Sequence, residues 1–326
     1  MLIITAYILS LLFLPFKEEI ANIANNRVFT SGEKVIASFT SINPNNEKIQ
    51  VVTIDGTLKE FPAIPRRKEK EKDPVVWAKR FVSLDVDSGR VLHEKDMYER
   101  IPIASLTKVM TALIANEKII DWKEVTTISN NAAMAGGSGV DFLSGEKFSL
   151  DDIFKAMVMN SDNTAARVIA EHISGSEEEF VKLMNQRAEE LGLKNTHFAD
   201  ASGLEDESSY SCAHDIAIIT KEALNYPYIW ETMKIPSHIE IVSKDYSSTP
   251  HRVGNTNKLL GEYGKIVGGK TGFTYNAGYC VLMVAEEKNK GKVVGVLLDA
   301  GQIGRWTEIK KLLEWSFDSH KWSVMP

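Results

Sequence analysis

Ile266-Val-Gly-Gly-Lys-Thr-Gly-Phe-Thr274 is the stretch on which the reading of this chain turns. It reads as a strand, and at its centre stand Lys270, Thr271 and Gly272. Two other short runs precede it in order, Ser105-Leu-Thr-Lys108 and Ser161-Asp-Asn163. Together the three supply the parts of a serine acyl-transfer site: a nucleophile, a base beside it, and a second cation with a hydroxyl and an amide as further walls.

Each spacing also occurs elsewhere. Ser31/Lys34 and Ser144/Lys147 repeat the serine–lysine interval, and Ser41/Asn43 and Ser129/Asn131 repeat the serine–asparagine one. Context separates them. Ser31 and Ser144 each precede Gly-Glu-Lys, a turn composition in which serine and lysine need not share a face. Ser105 instead opens a helix-forming stretch with apolar residues at Leu106, Val109, Met110, Leu113 and Ile114. Residues three apart on a helix are neighbours, so Lys108 is placed beside Ser105 at the helix start. A nucleophile there has an unpaired first-turn N–H and the positive dipole end to favour a developing oxyanion. On its own such a pair reads as an N-cap serine with a solvent lysine; the company of the other two motifs decides.

An ammonium cannot take a hydroxyl proton, so Lys108 must have a lowered pKa, which burial and a second cation both achieve. Lys270 is that cation if its strand runs beside the helix start. Ser161 and Asn163 follow the apolar pattern Ile153, Phe154, Met157, Val158 and precede a second helical stretch, so a short loop between helices presents them. Ser161 could relay a proton, and Asn163 could hold both Lys108 and a substrate carbonyl.

The remaining pattern is α/β. Residues 77–93 read as a hairpin turning at Asp87-Ser-Gly, and residues 105–224 as a helical block that includes a capping box at Ser176 and a stop at Gly192. Strands return at residues 265–274, 278–285 and 292–299, followed by a helix over 305–317 with Trp306, Ile309, Leu312, Leu313 and Ser316 on one face. This is an antiparallel sheet flanked by helices, with a helical subdomain inserted. With 326 residues and 44% hydrophobic composition the chain can bury one large domain or two lobes. A net charge of −6 and no basic face argue against nucleic acid as a partner. The run 66–73 alternates in sign and reads as a solvated linker. Cys212 and Cys280 form no C-x-x-C, and Cys280, in a strand pattern, reads as a buried free thiol. The histidines show no H-E-x-x-H, so no metal or other cofactor is expected.

Residues 1–16 are uncharged and mostly apolar, about 24 Å if helical, which suits a signal peptide or N-terminal membrane anchor. Residues 17–76 read as a small β-rich extension, with alternating segments near 35–39 and 48–54, ending in the charged linker; residues 77–320 read as the catalytic domain.

At this point the chain resembles the D-alanyl-D-alanine carboxypeptidases of the low-molecular-mass penicillin-binding protein family. Beyond the three motifs, the likeness includes Phe81-Val-Ser-Leu-Asp-Val-Asp-Ser-Gly-Arg-Val-Leu92, Ile101-Pro-Ile-Ala104, Gly136-Gly-Ser-Gly139, Leu191-Gly-Leu-Lys-Asn-Thr-His-Phe198, Ser202-Gly-Leu204 and Ala277-Gly-Tyr-Cys280. The resemblance implies a transpeptidase/β-lactamase-like fold, peptidoglycan stem peptides as substrate, β-lactam antibiotics as covalent inhibitors, and an exported enzyme of the cell envelope. It implies catalytic roles for Ser105, Lys108, Ser161, Asn163 and Lys270, and substrate binding by Thr271, Gly272, Phe273 and Arg305. The oxyanion hole would be the N–H groups of Ser105 and Phe273, and Arg305 would help bind the substrate carboxylate. Two features depart from the family pattern. Asp162 stands where the family more often has glycine, as in class A β-lactamases, yet no Glu-x-x-Leu-Asn lies between Asn163 and Lys270. The chain also stops soon after the 305–317 helix, so any membrane anchor is expected at the N-terminus. A D,D-endopeptidase, a serine β-lactamase and a catalytically silent penicillin-binding scaffold are the alternative readings.

Overall fold

The computed structural model describes residues 50–52, 58–60, 64–137, 139–204, 208–245 and 249–322. The chain divides into two compact units between Phe61 and Pro62. In the first, β1 (Gln50–Val52) pairs antiparallel with β2 (Leu58–Glu60), in keeping with the alternating pattern over 48–54. The expected segment at 35–39 and the apolar stretch 1–16 lie outside the described residues.

The second unit begins with β3 (Arg66–Arg67), β4 (Arg80–Asp85) and β5 (Val91–Lys95). A 3₁₀ turn (Ala104–Thr107) leads into α1 (Lys108–Lys118), followed by β6 (Val125–Thr127), α2 (Asn130–Ala133), β7 (Lys147–Ser149), α3 (Leu150–Met159), α4 (Asn163–Ser174) and α5 (Glu177–Glu190). Next come α6 (Ala213–Ala223), α7 (Pro227–Met233), β8 (Ile239–Ile241) and β9 (His251–Val253). The chain then returns to the sheet with β10 (Ile266–Thr274), β11 (Gly278–Glu287) and β12 (Gly291–Ala300), and closes with α8 (Gly304–Asp318) and β13 (His320–Lys321).

Five strands form one antiparallel sheet in the order β10-β11-β12-β4-β5. Its central strands are apolar on both faces, as a doubly covered sheet requires. Leu282, Val284, Val294, Val296 and Leu84 belong to the core shared with the helical block, whereas Val281, Met283, Val293 and Leu297 meet Ile309, Leu312, Leu313 and Phe317 of α8. Each such side chain contributes roughly 1.5–3 kcal/mol of burial. Gly295 lets α8 sit close, because a Cβ there would lie 2.8 Å from Ile309 Cδ1. β10 ends the sheet and turns its outer edge toward the start of α1. That is how a strand, a helix start and a helix–helix loop come to share one cleft.

Helix ends follow their capping residues. Ser149, Asp162 and Ser176 cap α3, α4 and α5 through their side chains, and Gly175 and Gly192 stop α4 and α5 in left-handed conformations. Within the block read as helical, a small β6–β7 hairpin also appears; three-residue strands are too short to leave a periodic signal. The charged run 66–73 keeps its charges in solvent, but it is not free chain. Arg66 and Arg67 pair with Lys321 and His320, Arg67 lies over the Trp315 ring at 5.2 Å, and Trp315 Nε1 donates to the Lys72 carbonyl at 2.7 Å. Sign alternation reports where side chains point, not whether the backbone is paired. Among the described residues no helix is long and apolar enough to cross a membrane.

Candidate active site

Ser105 does not open an α-helix. It lies in the 3₁₀ turn, and α1 begins at Lys108. In a 3₁₀ turn residues three apart eclipse one another, so the expected pairing of Ser105 with Lys108 holds in a tighter form: Lys108 Nζ is 3.0 Å from Ser105 Oγ. Ala104 enters the turn at φ +48°, a strained value for a residue with a Cβ. Ser105 itself remains partly accessible, whereas Lys108 is fully buried.

Lys108 Nζ also donates to Asn163 Oδ1 and to the Ser202 carbonyl, both at 2.7 Å. Burial pushes its pKa down to about 7, against the opposing pull of Asp200, Asp162 and Glu177. Lys270, also buried, donates to Ser161 Oγ at 2.7 Å and to the Thr271 carbonyl at 3.0 Å. Its pKa falls well below the ordinary lysine value, through burial first and the positive charge of Lys108 second. The two lysines are close enough for the charge of Lys108 to act on Lys270.

The Ser161–Asn163 loop is shaped by its middle residue. Ser161 sits at φ +64°, and Asp162 fixes the next peptide by accepting from Ala165 N at one carboxylate oxygen and Val140 N at the other, each at 2.6 Å. Burial raises the Asp162 pKa, and those two backbone donors pull it back. Asn163 Nδ2 donates to the Gly136 carbonyl at 2.9 Å, which leaves its Oδ1 facing Lys108. The glycine loop must come this close. A Cβ at Gly139 would lie 2.4 Å from Asp162 Oδ2, and one at Gly137 2.4 Å from Asn163 Nδ2.

β10 brings the strand motif to the same place. Gly272 faces the 3₁₀ turn so closely that a Cβ would stand 2.9 Å from Ser105 N and 3.1 Å from Ala104 Cβ. Alternation turns Thr271 and Phe273 to the other face: Thr271 Oγ1 donates to Thr256 Oγ1 at 2.9 Å, and Phe273, 45% exposed, stacks on Tyr279 with centroids 4.2 Å apart. Arg305 continues that row, its guanidinium 4.7 Å from the Tyr279 ring and 4.9 Å from the Trp306 ring. Its Nε and Nη1 are buried without a hydrogen-bond partner among the described residues, and burial lowers its pKa. With Lys258 it lines a cleft also bounded by Gln302, Ile303 and Trp306. Arg305 therefore stands on the sheet face of Phe273, away from the Lys108 face.

The competing matches do not converge. Ser144 donates to Asn130 while Lys147 is exposed on β7; Ser129 caps α2 and, with Asn131, donates to Glu171 at 2.7 and 2.8 Å. Ser31/Lys34 and Ser41/Asn43 lie outside the described residues. Cys212 and Cys280 are buried and form no disulfide, as read for Cys280. Reading the sequence missed the third acceptor on Lys108. The Ser202 carbonyl carries no side-chain signature; its traces are the turn composition Asp200-Ala-Ser-Gly203 and the family likeness of Ser202-Gly-Leu204.

Buried beside an accessible hydroxyl, with its pKa brought down to about 7, Lys108 in its neutral form can accept that hydroxyl's proton, and Ser105 can then attack an acyl carbon. Comparison with known proteins gives the family. The peptidase S11 family model, described as D-alanyl-D-alanine carboxypeptidase, matches residues 67–302. D-alanyl-D-alanine carboxypeptidase DacF of Bacillus subtilis is 36% identical over 75% of this chain, and the chain spans 63% of that protein's length. D-alanyl-D-alanine endopeptidase of Pseudomonas aeruginosa is 31% identical over 71% of this chain and 74% of its own. The crystal structure of D-alanyl-D-alanine carboxypeptidase DacD from Francisella tularensis superposes with a TM-score of 0.68 at 27% identity, covering 75% of this chain and 73% of that one. With the matched region spanning all three motifs and the fold alike, the chain belongs to the peptidase S11 family of D-alanyl-D-alanine carboxypeptidases.

Proposed function

We propose that the chain is a serine-type D-Ala-D-Ala carboxypeptidase that trims peptidoglycan stem peptides through an acyl-enzyme on Ser105. The observation that carries the reading is the set of partners on Lys108. A neutral amine has two N–H groups and one lone pair. The Asn163 and Ser202 oxygens can only accept, so they take both N–H groups and leave the lone pair to the third neighbour, the Ser105 hydroxyl at 3.0 Å. Ser105 Oγ then bonds to the carbonyl carbon of the penultimate D-Ala as Lys108 takes its proton. The C–N bond breaks as the proton that Lys108 took passes by way of the Ser161 hydroxyl, which Lys270 holds, to the departing D-Ala amine, and Lys108 is neutral again. Water repeats the sequence on the ester and frees Ser105. The Ser105 and Phe273 N–H groups would stabilise the oxyanion, and Arg305 would supply a cation for the terminal carboxylate.

β-Lactams would acylate the same serine and leave slowly. The substrate lies outside the cytoplasmic membrane, so the enzyme would act in the cell envelope, with residues 1–16 as export signal or anchor. The test is to mix the protein with fluorescent penicillin and, separately, with a pentapeptide ending in D-Ala-D-Ala. Durable label and release of free D-Ala, both lost in Ser105→Ala, are expected; covalent label on that variant would refute the assignment. The Pseudomonas endopeptidase relative keeps cleavage of a cross-linked dimer as the second reading. Arg305 favours a free terminal carboxylate, so kcat/KM is expected to be higher on the pentapeptide, and a several-fold preference for the dimer would reverse the choice.

A further inference from the structure

The Ser202 carbonyl on Lys108 is held by a residue outside all three motifs. Asp200 is 4% exposed, and one of its carboxylate oxygens accepts from Ser202 N at 2.5 Å, Ser202 Oγ at 2.9 Å, Gly203 N, and Leu204 N at 3.4 Å. That single oxygen folds the 200–204 segment into a tight turn, with Gly203 at φ +82°. The turn is wedged against the nucleophile's own backbone: a Cβ at Gly203 would lie 2.0 Å from the Ala104 carbonyl oxygen and 2.6 Å from Thr107 Oγ1. Its other side is tied down as well, since the Ala201 carbonyl accepts from Thr111 Oγ1 at 2.6 Å and Ala201 N donates to Glu177 at 3.1 Å. From this turn the Ser202 carbonyl reaches the cleft, 2.7 Å from Lys108 Nζ.

We propose that Asp200 is a positioning residue for acylation: by gathering the turn onto its carboxylate it fixes the Ser202 carbonyl on Lys108 Nζ, and so aims the lysine's lone pair at Ser105. Without that carbonyl a neutral Lys108 has one fixed acceptor, Asn163, and its lone pair turns freely about the Cε–Nζ bond. Asp200 acts by charge too. The groups that face Lys108 are Asp200 from the turn, Asp162 from the start of α4, Glu177 from the start of α5, and Lys270 from β10. Among the three carboxylates Asp200 exerts the largest pull toward the ammonium form. The proposal rests on the carboxypeptidase reading, because it assigns Asp200 a part in that acylation.

Two substitutions separate geometry from charge. Asp200→Ala removes both, and its kcat for D-Ala release and its acylation rate with fluorescent penicillin are expected to fall roughly tenfold to a hundredfold with KM nearly unchanged. Asp200→Asn keeps an oxygen that accepts the same N–H groups but removes the charge. It should stay within a few fold of wild type at its plateau, while the acidic limb of its acylation rate moves about half a pH unit or more to lower pH, since Lys108 loses its strongest negative neighbour. An Asp200→Ala protein with wild-type kcat, or an Asp200→Asn limb that does not move, overturns the proposal. Should Asp200→Ala fail to fold, the Asp200→Asn limb decides. Wild-type protein that takes no label would overturn the carboxypeptidase reading and this proposal with it; label on wild type with indifferent Asp200 variants overturns this proposal alone.

Discussion

If Lys108 is the base, acylation has a pH dependence whose size follows from its surroundings. Burial places its pKa at about 7, so the neutral fraction is about 9% at pH 6 and about 91% at pH 8. The acylation rate constant with fluorescent penicillin, followed by stopped flow from pH 5.5 to 9, should rise roughly tenfold between those points and then level off. An ordinary solvent lysine would give a limb still climbing about tenfold per unit at pH 8. Lys108→Arg should erase the limb and lower the rate by about a hundredfold or more, because a guanidinium does not release its proton to become a base. The same shift has a thermodynamic face. The folded pKa lies below the unfolded value, so between pH 7 and 10.5 the unfolded chain binds a proton that the folded chain has released. Stability should therefore rise with pH through that window, by at most about 1.4 kcal/mol per unit, and the cost of burying the ammonium is fully present below it. Lys270 acts in the same direction. Urea melts of wild type and Lys108→Met at pH 7 and 9 isolate the contribution of Lys108. A rate limb centred near 10, or a wild-type-minus-variant stability that does not grow with pH, would show that Lys108 is held as an ammonium and cannot be the base.

Gly272→Ala would place a methyl group 2.9 Å from Ser105 N, and prising β10 from the 3₁₀ turn by even part of an ångström should cost about a hundredfold in acylation; wild-type rates would mean that the strand's approach is not critical. Arg305→Ala should weaken turnover of peptides with a free D-Ala carboxylate, and amidating that terminus should cost wild type more than the variant; equal losses remove Arg305 from the site. Glu308 is buried and accepts from Trp77 N and Ala78 N, each at 2.8 Å. Glu308→Ala should therefore lower stability in urea by about 1–3 kcal/mol with penicillin labelling intact, and an unchanged midpoint would mean that the segment before β4 contributes nothing to the catalytic unit.

What the amino-acid sequence determined by itself was the set of parts and the sheet that carries them. Lys270-Thr271-Gly272 on a strand, Ser161 and Asn163 between two helices, and α8 with one apolar face are local facts, because period-2 and period-3.6 patterns and caps such as Ser176 act over a few residues. Ser105 and Lys108 were paired for the same reason, since three residues of separation brings them together in an α-helix and more closely still in the 3₁₀ turn that forms. Only the tertiary structure decided which acceptors surround Lys108. The Ser202 carbonyl arrives from 94 residues away in sequence, and a backbone carbonyl has no residue identity to read. It likewise decided that Arg66 and Arg67 join the last strand, because exposed charges look the same on a paired strand as on a free linker. It decided, finally, that Lys108 has a neutral form near neutral pH at all. A lysine's charge depends on how much water and how many carboxylates the fold leaves around it, and residues far apart in the chain set both.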